Sequence, residues 1–394
     1  MGWAVLLAWV GVFGPAAPAA RAAMRQNFSR LNAAAIGQGV FYILPDARGM
    51  ERFRQEADEI GIIAPQSFSL DGYGVLRSSL PDEITEIAAE HGVPVMPLVI
   101  NAGFSRWQAI RLLHNPSARD RAIGALVDAA RRLSLAGWQV DFENLPWTQR
   151  AAFSRFIAEA AGALHRHGLL LSVAVAARTN DIHNVTFRTF SGVYDYRALA
   201  RSADFLSVMA YPESDATHPG PLASTPWVRE VLDHVLAQAP PDKISLGIPT
   251  YQTDWMRRRI RISFRRRIAG HIRRVFRYVY RLFYHDGPVQ LAPWHWDPVL
   301  QAAYRVQVWG HTRRITWIEN EESFRAKLAL VAEYHLRGYS VWRLGLEDPN
   351  IWQELPLAPR AIARADPPSR RLPRLHHPSA AAAGAGDTPG HRGR

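Results

Sequence analysis

The chain of 394 residues is 48% hydrophobic and 21% charged, a balance that is ordinary for a globular protein with a large core. It contains no cysteine, which excludes disulfide bonds, thiolate metal sites and a cysteine nucleophile. The formal net charge at pH 7 is +12, and much of that excess lies in residues 257–281. The net positive charge therefore belongs to one segment of the chain more than to the whole protein.

The two ends of the chain differ in composition from the middle. Residues 2–13 form an apolar run and small residues follow at 17–22, a pattern typical of a secretory signal peptide. The run is shorter than the roughly 18 residues of a membrane-spanning helix, but no Lys or Arg precedes it. We therefore assign 1–23 to a signal peptide or an N-terminal anchor, which predicts a secreted, periplasmic or cell-envelope location. Residues 365–394 have few large apolar side chains, and we expect a disordered tail there.

Eight short apolar segments recur along the middle of the chain, and stretches with helical spacing separate most of them. This alternation predicts an α/β protein, a (β/α)8 TIM barrel over residues 36–360. A doubly wound open sheet is the competing architecture, but no Gly-x-Gly-x-x-Gly follows an early strand. The expected strands are 39–44, 60–64, 93–100, 137–143, 169–175, 205–211, 244–251 and 339–344.

The spacing of the expected strands breaks once, between the seventh and the eighth, where residues 256–335 form an insertion. Arginines are frequent from Arg257 to Arg281 and no acid occurs among them. Apolar residues recur there at helical spacing, which predicts a basic amphipathic helix. Residues 304–317 alternate around a Gly-His-Thr turn, which predicts a hairpin and hence a small α+β lobe.

Two interpretations of the basic segment stand side by side. Its apolar stripe packs on the barrel, or the segment Arg257–Arg281 contacts an anionic surface, either a phospholipid membrane or an acidic cell-wall polymer. Nucleic acid is the third and least favoured partner, because no known binding module accompanies the charge.

The most informative stretch is residues 136–143, Ala-Gly-Trp-Gln-Val-Asp-Phe-Glu. A strand alternates its faces, so Gln139, Asp141 and Glu143 point to one side and the apolar residues to the other. A polar face that ends in carboxylates indicates a strand inside a small barrel with acids at its carboxyl end, where barrel enzymes carry their catalytic groups. An isolated Asp-x-Glu in a solvated loop is the simpler alternative.

This stretch resembles the fourth barrel strand of the family 18 glycoside hydrolases, whose motif is Asp-Gly-x-Asp-x-Asp-x-Glu. The glycine and the last two acids match, and further elements follow in family order over roughly residues 36–355. Among the branches of the family, the chain is most similar to the spore cortex-lytic and peptidoglycan-associated enzymes. The other matching elements are 96–101 (MPLVIN), 209–211 (MAY), 247–251 (GIPTY) and 342–345 (WRLG).

The resemblance implies hydrolysis of a β-linked N-acetylglucosamine polymer, with the substrate's own 2-acetamido group as the nucleophile. Glu143 would be the general acid and then the base, Asp141 would orient the acetamido nitrogen, and Tyr211 would donate to the acetamido carbonyl. Trp342 would form the floor beneath the sugar. The other substrate-binding residues implied are Gln139, Met209, Asn101 and Tyr251.

Three departures from the family motif leave alternatives open. Ala136 and Gln139 replace two aspartates, and Pro212 replaces an aspartate that often follows the strand-six tyrosine. A carboxylate at 139 would raise the pKa of Asp141 by repulsion, whereas an amide can only hydrogen-bond to it. A non-catalytic glycan-binding barrel, or a cell-envelope protein whose function is anionic-surface contact, is therefore the alternative to an enzyme.

Other chemistry lacks a motif in the sequence. The histidines show no His-Glu-x-x-His spacing, and neither a Gly-x-Ser-x-Gly elbow nor a phosphate-binding glycine loop occurs. We predict no metal and no cofactor, and the only substrate partner predicted is a polysaccharide.

Overall fold

A computed structural model of the chain describes residues 39–216, 218–268, 271–290 and 293–355. The expected signal peptide or anchor at 1–23 and the expected tail at 365–394 lie outside these residues. Among the residues described, no helix is both long and apolar enough to cross a lipid bilayer.

Eight parallel strands close into a barrel. Strand β1 pairs in parallel with both β2 and β14, so the sheet has no free edge between them, and its order is β1-β2-β4-β5-β6-β7-β8-β14. The predicted TIM barrel is thus confirmed. The strands of the described residues are β1 Val40–Ile43, β2 Ile62–Leu70, β3 Leu76–Ser78, β4 Leu98–Asn101, β5 Gly137–Asp141, β6 Leu170–Ala176, β7 Phe205–Met209, β8 Ile244–Pro249, β9 Gln252–Ile268, β10 His271–Gly287, β11 His295–Asp297, β12 Ala302–Trp309, β13 Thr312–Ile318 and β14 Gly338–Trp342.

Helices surround the barrel and follow its strands. Several begin where a short polar side chain accepts a hydrogen bond from a backbone N–H of the first turn, as Asn115, Ser224 and Asn320 do. The helices described are α1 Ala47–Glu56, α2 Asp82–His91, α3 Arg106–His114, α4 Pro116–Arg132, α5 Arg150–His165, α6 Val185–Thr189, α7 Tyr196–Ser202, α8 Thr225–Leu236 and α9 Glu321–Glu333.

The alternation of strand side chains produces two apolar clusters. On β1, Val40 and Tyr42 belong to a small cluster with Met96 and Phe205, whereas Phe41 and Ile43 belong to the large cluster that includes the helices. The small cluster fills the inside of the barrel and the large one joins the barrel to its helical wall. This pattern is the one that a closed sheet imposes, because successive residues face opposite sides.

Gly137, the first residue of β5, permits a close approach between neighbouring strands. A Cβ atom at this position would lie 2.0 Å from the carbonyl oxygen of Leu170 on β6. No real Cβ contact is so short, so any larger residue would push β5 away from β6 just before the strand reaches Asp141.

The insertion forms a five-stranded antiparallel sheet in the order β10-β9-β13-β12-β11. It follows β8 directly and is attached to loops at the carboxyl end of the barrel. The indole N–H of Trp255 donates to the carbonyl of Asp215 at 3.0 Å, and the N–H of Val289 donates to the carbonyl of Leu346 at 2.8 Å. Helix α9, within the predicted insertion of 256–335, instead packs on the barrel through Phe324, whose ring lies 6.3 Å from that of Tyr339.

The prediction of a basic amphipathic helix over Arg257–Arg281 is wrong, because this segment lies in the antiparallel strands β9 and β10. The Ile, Val, Phe and Tyr residues that suggested a helical stripe are also the residue types that favour strands. The two strands pair with each other from Gln252↔Gly287 to Ile268↔His271. Strand β9 also pairs with the distant β13 from Gln252↔Ile318 to Arg258↔Thr312. Strands β12 and β13 form the antiparallel pair around Gly310.

The close approach at Gly137 can be tested by substitution. We expect Gly137→Ala to lower the free energy of unfolding by about 2 kcal/mol, because its Cβ meets a backbone oxygen that cannot move independently. The matched control is Gly124→Ala in α4, where nothing lies within 4 Å of the new Cβ. That variant should gain about 1 kcal/mol from helix propensity. Denaturant unfolding measures the stability of both variants. Equal stability of Gly137→Ala and wild type would contradict the close approach of β5 to β6 at Gly137.

Candidate active site

Strand β5 places its two acids inside the mouth of the barrel by fixing its other face against helices. The indole N–H of Trp138 donates to the carbonyl of Leu126 in α4 at 3.0 Å. The ring of Phe142 stacks on that of Phe156 in α5, with centroids 5.7 Å apart. Because these residues face outward, Asp141 and Glu143 face the interior.

Asp141 is held almost completely out of water. Only 4% of its surface is exposed, and its buried Oδ1 atom has no hydrogen-bond partner in the part of the chain that the structure describes. Burial, and secondly the charge of Glu143, raise the pKa of Asp141 to about 8. The half-buried Glu143 also has a raised pKa, because burial disfavours its charged form. Both carboxyl groups therefore favour their protonated forms more than free carboxyl groups do.

Asn101, at the end of β4, fixes the backbone of Glu143. Its Oδ1 accepts the N–H of Glu143 at 2.9 Å, and its Nδ2 donates to the carbonyl of Glu143 at 3.1 Å and to that of Ser105 at 3.2 Å. The pairing of β4 with β5 ends at Ile100↔Asp141, so this side-chain amide continues the ladder past the last strand pair. Asn101 is 0% exposed, which corrects its prediction as a substrate-binding residue. It supports the acid instead.

Tyr194 holds the residue between the two acids, and the sequence analysis missed it. The Tyr194 hydroxyl donates to the carbonyl of Phe142 at 2.9 Å from a fully buried position. The pKa of Tyr194 is raised by burial and then by the charges of Glu143 and Asp141. The hydroxyl therefore keeps its proton and stays a hydrogen-bond donor. Tyr194 lies just before α7, outside any barrel strand, and no periodic signal in the sequence marks it.

Gln139 belongs to a polar network in the barrel interior, which corrects its prediction as a substrate contact. It is 0% exposed; its amide N–H donates to the Tyr42 hydroxyl and its carbonyl accepts from the Ser172 hydroxyl. The Tyr42 hydroxyl in turn donates to Ser207 at 2.7 Å. The amide therefore does not serve Asp141, as the sequence had suggested. It connects β5 to β1 and β6 beneath the acids.

Tyr211 follows β7 and is half-buried beside the acids. Burial is the main cause that raises its pKa, and electrostatic interactions with Tyr42, Tyr251, Asp141 and Glu143 add to it, so the hydroxyl remains a hydrogen-bond donor. Gly247 on β8 makes room for the ring, because a Cβ there would lie 3.1 Å from the Tyr211 Cε1 atom.

The remaining predicted residues line the same end of the barrel. Met209 and Trp342 are the last residues of β7 and β14, and both are half-buried. The Trp342 ring lies 5.6 Å from the Tyr42 ring, so its lower side rests on the barrel interior. Tyr251 is buried just beyond β8, and its backbone carbonyl accepts the N–H of Glu319 at 3.3 Å. The structure thus brings Asp141, Glu143, Tyr211, Met209 and Trp342 together at the carboxyl end.

Such a pair of buried carboxyl groups can transfer protons and stabilise a developing positive charge. Their raised pKa values keep a proton available near neutral pH, which general acid catalysis requires. In the described residues no group of three or more His, Asp and Glu side chains is arranged to hold a metal ion. The barrel and the two acids at the end of its fourth strand define a glycoside hydrolase of the TIM-barrel class.

Comparisons with known proteins agree with this class. The family model of glycosyl hydrolases family 18 matches residues 74–347. The uncharacterized glycosylase YvbX of Bacillus subtilis is 24% identical over 339 residues, which are 83% of this chain and 93% of that protein. The cortical fragment-lytic enzyme of B. subtilis is 27% identical over 305 residues, 76% of this chain and 68% of that protein.

A solved structure extends the similarity to three dimensions. The chitinase from Chromobacterium violaceum superposes with a TM-score of 0.68 at 25% sequence identity, covering 82% of this chain and 98% of the chitinase. The chain therefore belongs to glycosyl hydrolase family 18, and it is a glycosidase related to cortex-lytic enzymes and chitinases.

The hydrogen bonds from the Asn101 side chain to the backbone of Glu143 can be tested kinetically. We expect Asn101→Ala to lower kcat about tenfold or more with a small change in KM, because Glu143 loses both backbone hydrogen bonds and its carboxyl group loses its position. Asn144→Gly is the control: its side chain, next in sequence to Glu143, bonds only the carbonyl of Phe104 among the residues described, and glycine adopts its φ of 60° without strain. Hydrolysis of a chromogenic N-acetylglucosaminide measures both. A raised KM at unchanged kcat would instead make Asn101 a substrate contact.

The buried Asp141 should also lower stability as the pH rises. The folded protein keeps the Asp141 proton up to about pH 8, whereas an unfolded Asp releases it near pH 4, so stability is lost as the pH rises between these values. The folded and unfolded pKa values differ by about four, and each pKa unit is worth about 1.4 kcal/mol. We therefore expect Asp141→Asn to exceed wild type in unfolding free energy by on the order of 5 kcal/mol at pH 8, and by much less at pH 4.

Denaturant unfolding at a series of pH values measures this difference. Asp128→Asn, at an exposed position of α4, controls for loss of an acidic side chain. A constant difference between Asp141→Asn and wild type across the pH range would show that Asp141 is ionised in the folded protein.

Proposed function

We propose that the protein is an exported hydrolase that cleaves β-linked N-acetylglucosamine polysaccharide, peptidoglycan in preference to chitin, by a substrate-assisted retaining mechanism. The observation that carries the proposal is the pair of the buried Asp141 and the half-buried Glu143, with their raised pKa values, at the carboxyl end of β5. The pair lies where barrel enzymes carry their chemistry, and the family shows the reaction class.

Glu143 is the group placed to protonate the leaving oxygen. It is the more exposed of the two acids and can reach a bound sugar, whereas Asp141 lies deeper. After the bond breaks, the same carboxylate serves as the base that activates water, by microscopic reversibility.

Asp141 is the group placed to hold the acetamido nitrogen. Its Oδ1 has no hydrogen-bond partner among the described residues, and it can accept a hydrogen bond from an acetamido N–H. That hydrogen bond favours the carboxylate form of Asp141, so substrate binding lowers the proton affinity of Asp141 and favours a proton on Glu143, where the leaving group needs it. The Asp141 carboxylate then balances the positive charge of the oxazolinium intermediate, while Tyr211 donates to the acetamido oxygen.

The choice of polymer and the location rest on other observations. The relatives include both a cortical fragment-lytic enzyme and a chitinase. The resemblance of the sequence motifs to the spore cortex-lytic branch supports peptidoglycan as the preferred polymer. Export is supported by the apolar segment at 1–23, which is typical of a signal peptide.

A non-catalytic glycan-binding barrel is the second candidate, favoured by the replacement of two family aspartates by Ala136 and Gln139. Residue 139 is engaged with Tyr42 and Ser172 inside the barrel. A binding protein needs the cleft but not the proton of Glu143, so the two candidates differ in what Glu143→Gln does.

The test compares acetylated and deacetylated oligosaccharides of equal length. The wild type should hydrolyse the acetylated substrate, and Glu143→Gln should lose on the order of 10²–10⁴ in kcat while binding it with similar affinity. The deacetylated substrate should show a large loss of kcat as well as a raised KM, because it lacks the nucleophile itself.

Each alternative outcome has a clear meaning. If wild type and Glu143→Gln bind polymer equally and neither releases reducing ends, the protein is a glycan-binding barrel. Equal hydrolysis of acetylated and deacetylated substrate would refute the substrate-assisted mechanism. Faster release of fragments from purified chitin than from purified peptidoglycan would refute the preferred polymer.

A further inference from the structure

The inserted sheet extends into a ribbon of two strands, which we call the arginine ribbon and define as Arg259–Ile268 and His271–Tyr280. The pairing of β9 with β13 ends at Arg258↔Thr312, and beyond that point β9 pairs with β10 alone among the residues described. At about 3.3 Å per residue, the ribbon is roughly 30 Å long. It continues the five-stranded sheet, which is attached to loops at the carboxyl end of the barrel, the end that carries Glu143.

The arginine ribbon and the adjoining residues Arg257, Arg258 and Arg281 are strongly cationic. Residues 257–281 contain eleven arginines and no Asp or Glu. Because opposed residues of an antiparallel pair share a face, the register assigns the exposed arginines to both faces of the ribbon. Arg257, Arg261, Arg265 and Arg274 lie on one face, and Arg258, Arg266, Arg277 and Arg281 lie on the other.

This arrangement costs stability in the isolated protein. Arg265 lies directly opposite Arg274, and Arg258 lies directly opposite Arg281. Like charges in directly opposed positions destabilise a pair of strands, and a two-stranded ribbon is marginal in water even without them. Nothing about packing requires charge at these exposed positions, so the repulsion indicates a partner that neutralises it.

We infer that the arginine ribbon binds a linear polyol-phosphate polymer, a flexible chain joined by phosphodiester groups and distinct from nucleic acid, and that the polymer contacts both faces of the ribbon. The guanidinium group accepts a phosphate in two parallel hydrogen bonds, and this pairing is stronger than that of neutral groups. A flexible polyanion, or a network of such chains, can surround a narrow ribbon and neutralise arginines on opposite sides.

A bilayer fits the two-faced charge less well, because its headgroups lie on one side of whatever rests on it. The predicted helix would have had one charged and one apolar face, which is what a membrane surface selects. Two apolar side chains are exposed in this region, Ile262 within the ribbon at 44% and Phe283 three residues beyond its end at 37%, and the Arg281 guanidinium lies 5.4 Å from the Phe283 ring centre. Membrane contact is therefore a measured outcome of the test.

Binding through the ribbon would keep the enzyme beside its substrate. Strand β9 begins at Gln252, directly after β8 ends at Pro249, so the ribbon and the acids belong to the same end of the barrel. A hydrolase retained on a polymer that accompanies its substrate acts at a raised local concentration. The inference concerns residues outside the active site and does not depend on the identity of the hydrolysed bond.

The experiment measures binding of the full chain to labelled poly(glycerol phosphate) by fluorescence anisotropy over a series of salt concentrations. Arg265→Gln/Arg274→Gln removes charge from one face, and Arg266→Gln/Arg277→Gln removes charge from the other. Arg131→Gln/Arg132→Gln, at exposed positions of α4, is the matched control with the same loss of charge. Glu143→Gln separates binding from hydrolysis.

We expect the wild type to bind at low salt and to weaken as salt is added, because the interaction is electrostatic. Each ribbon variant should weaken binding on the order of tenfold, and the α4 variant less than twofold. Glu143→Gln should bind as the wild type does. Both ribbon variants should hydrolyse a short soluble oligosaccharide at the wild-type rate, which shows that their folds and active sites are intact.

Four outcomes would overturn the inference. Undiminished binding by both ribbon variants would place the polymer elsewhere, and a loss confined to one face would refute the two-faced contact. Binding to phosphatidylglycerol vesicles without binding to the polymer would make the ribbon a membrane contact. Tighter binding to a short DNA duplex, at equal phosphate concentration, would make it a nucleic-acid surface.

Discussion

The active site depends on one constraint, the presence of two carboxyl groups two residues apart on a strand from which water is largely excluded. Burial raises the pKa of both Asp141 and Glu143, and the charge of Glu143 raises the pKa of Asp141 further. This is unfavourable for stability and favourable for acid catalysis. The rest of the barrel offsets that cost, with the apolar side of β5 packed on α4 and α5.

The surrounding hydrogen bonds fix the backbone near the acids and leave a carboxyl oxygen available. Asn101 bonds the N–H and carbonyl of Glu143, and Tyr194 bonds the carbonyl of Phe142. Gln139 connects β5 to β1 across the barrel and to its neighbour β6 beneath the acids. An oxygen of Asp141 remains without a partner in the described part of the chain, which suits a group that must exchange partners during a reaction.

The barrel accommodates a large addition without losing its closure. The five-stranded sheet follows β8, and the chain then returns through α9 to β14, which completes the barrel beside β1. Chemistry at the carboxyl end and variation in the loops of that end are compatible because the strands alone define the scaffold. The arginine ribbon extends this variable layer and gives it a charge that the barrel itself does not have.

The sequence determined the features that local periodicity encodes: the alternation of strands and helices, and the polar face of β5 that ends in Asp141 and Glu143. It placed Asn101 and Gln139 at the correct strand positions but with the wrong partners, because position on a strand does not say whether an amide meets a sugar, a backbone or a serine. Tertiary structure alone decided that Asn101 holds Glu143 and that Tyr194 holds Phe142. It also decided that residues 257–281 are strands, because their apolar spacing fits either structure and only the pairing of β9 with β10, together with that of Arg258 with the distant Thr312, selects the strand.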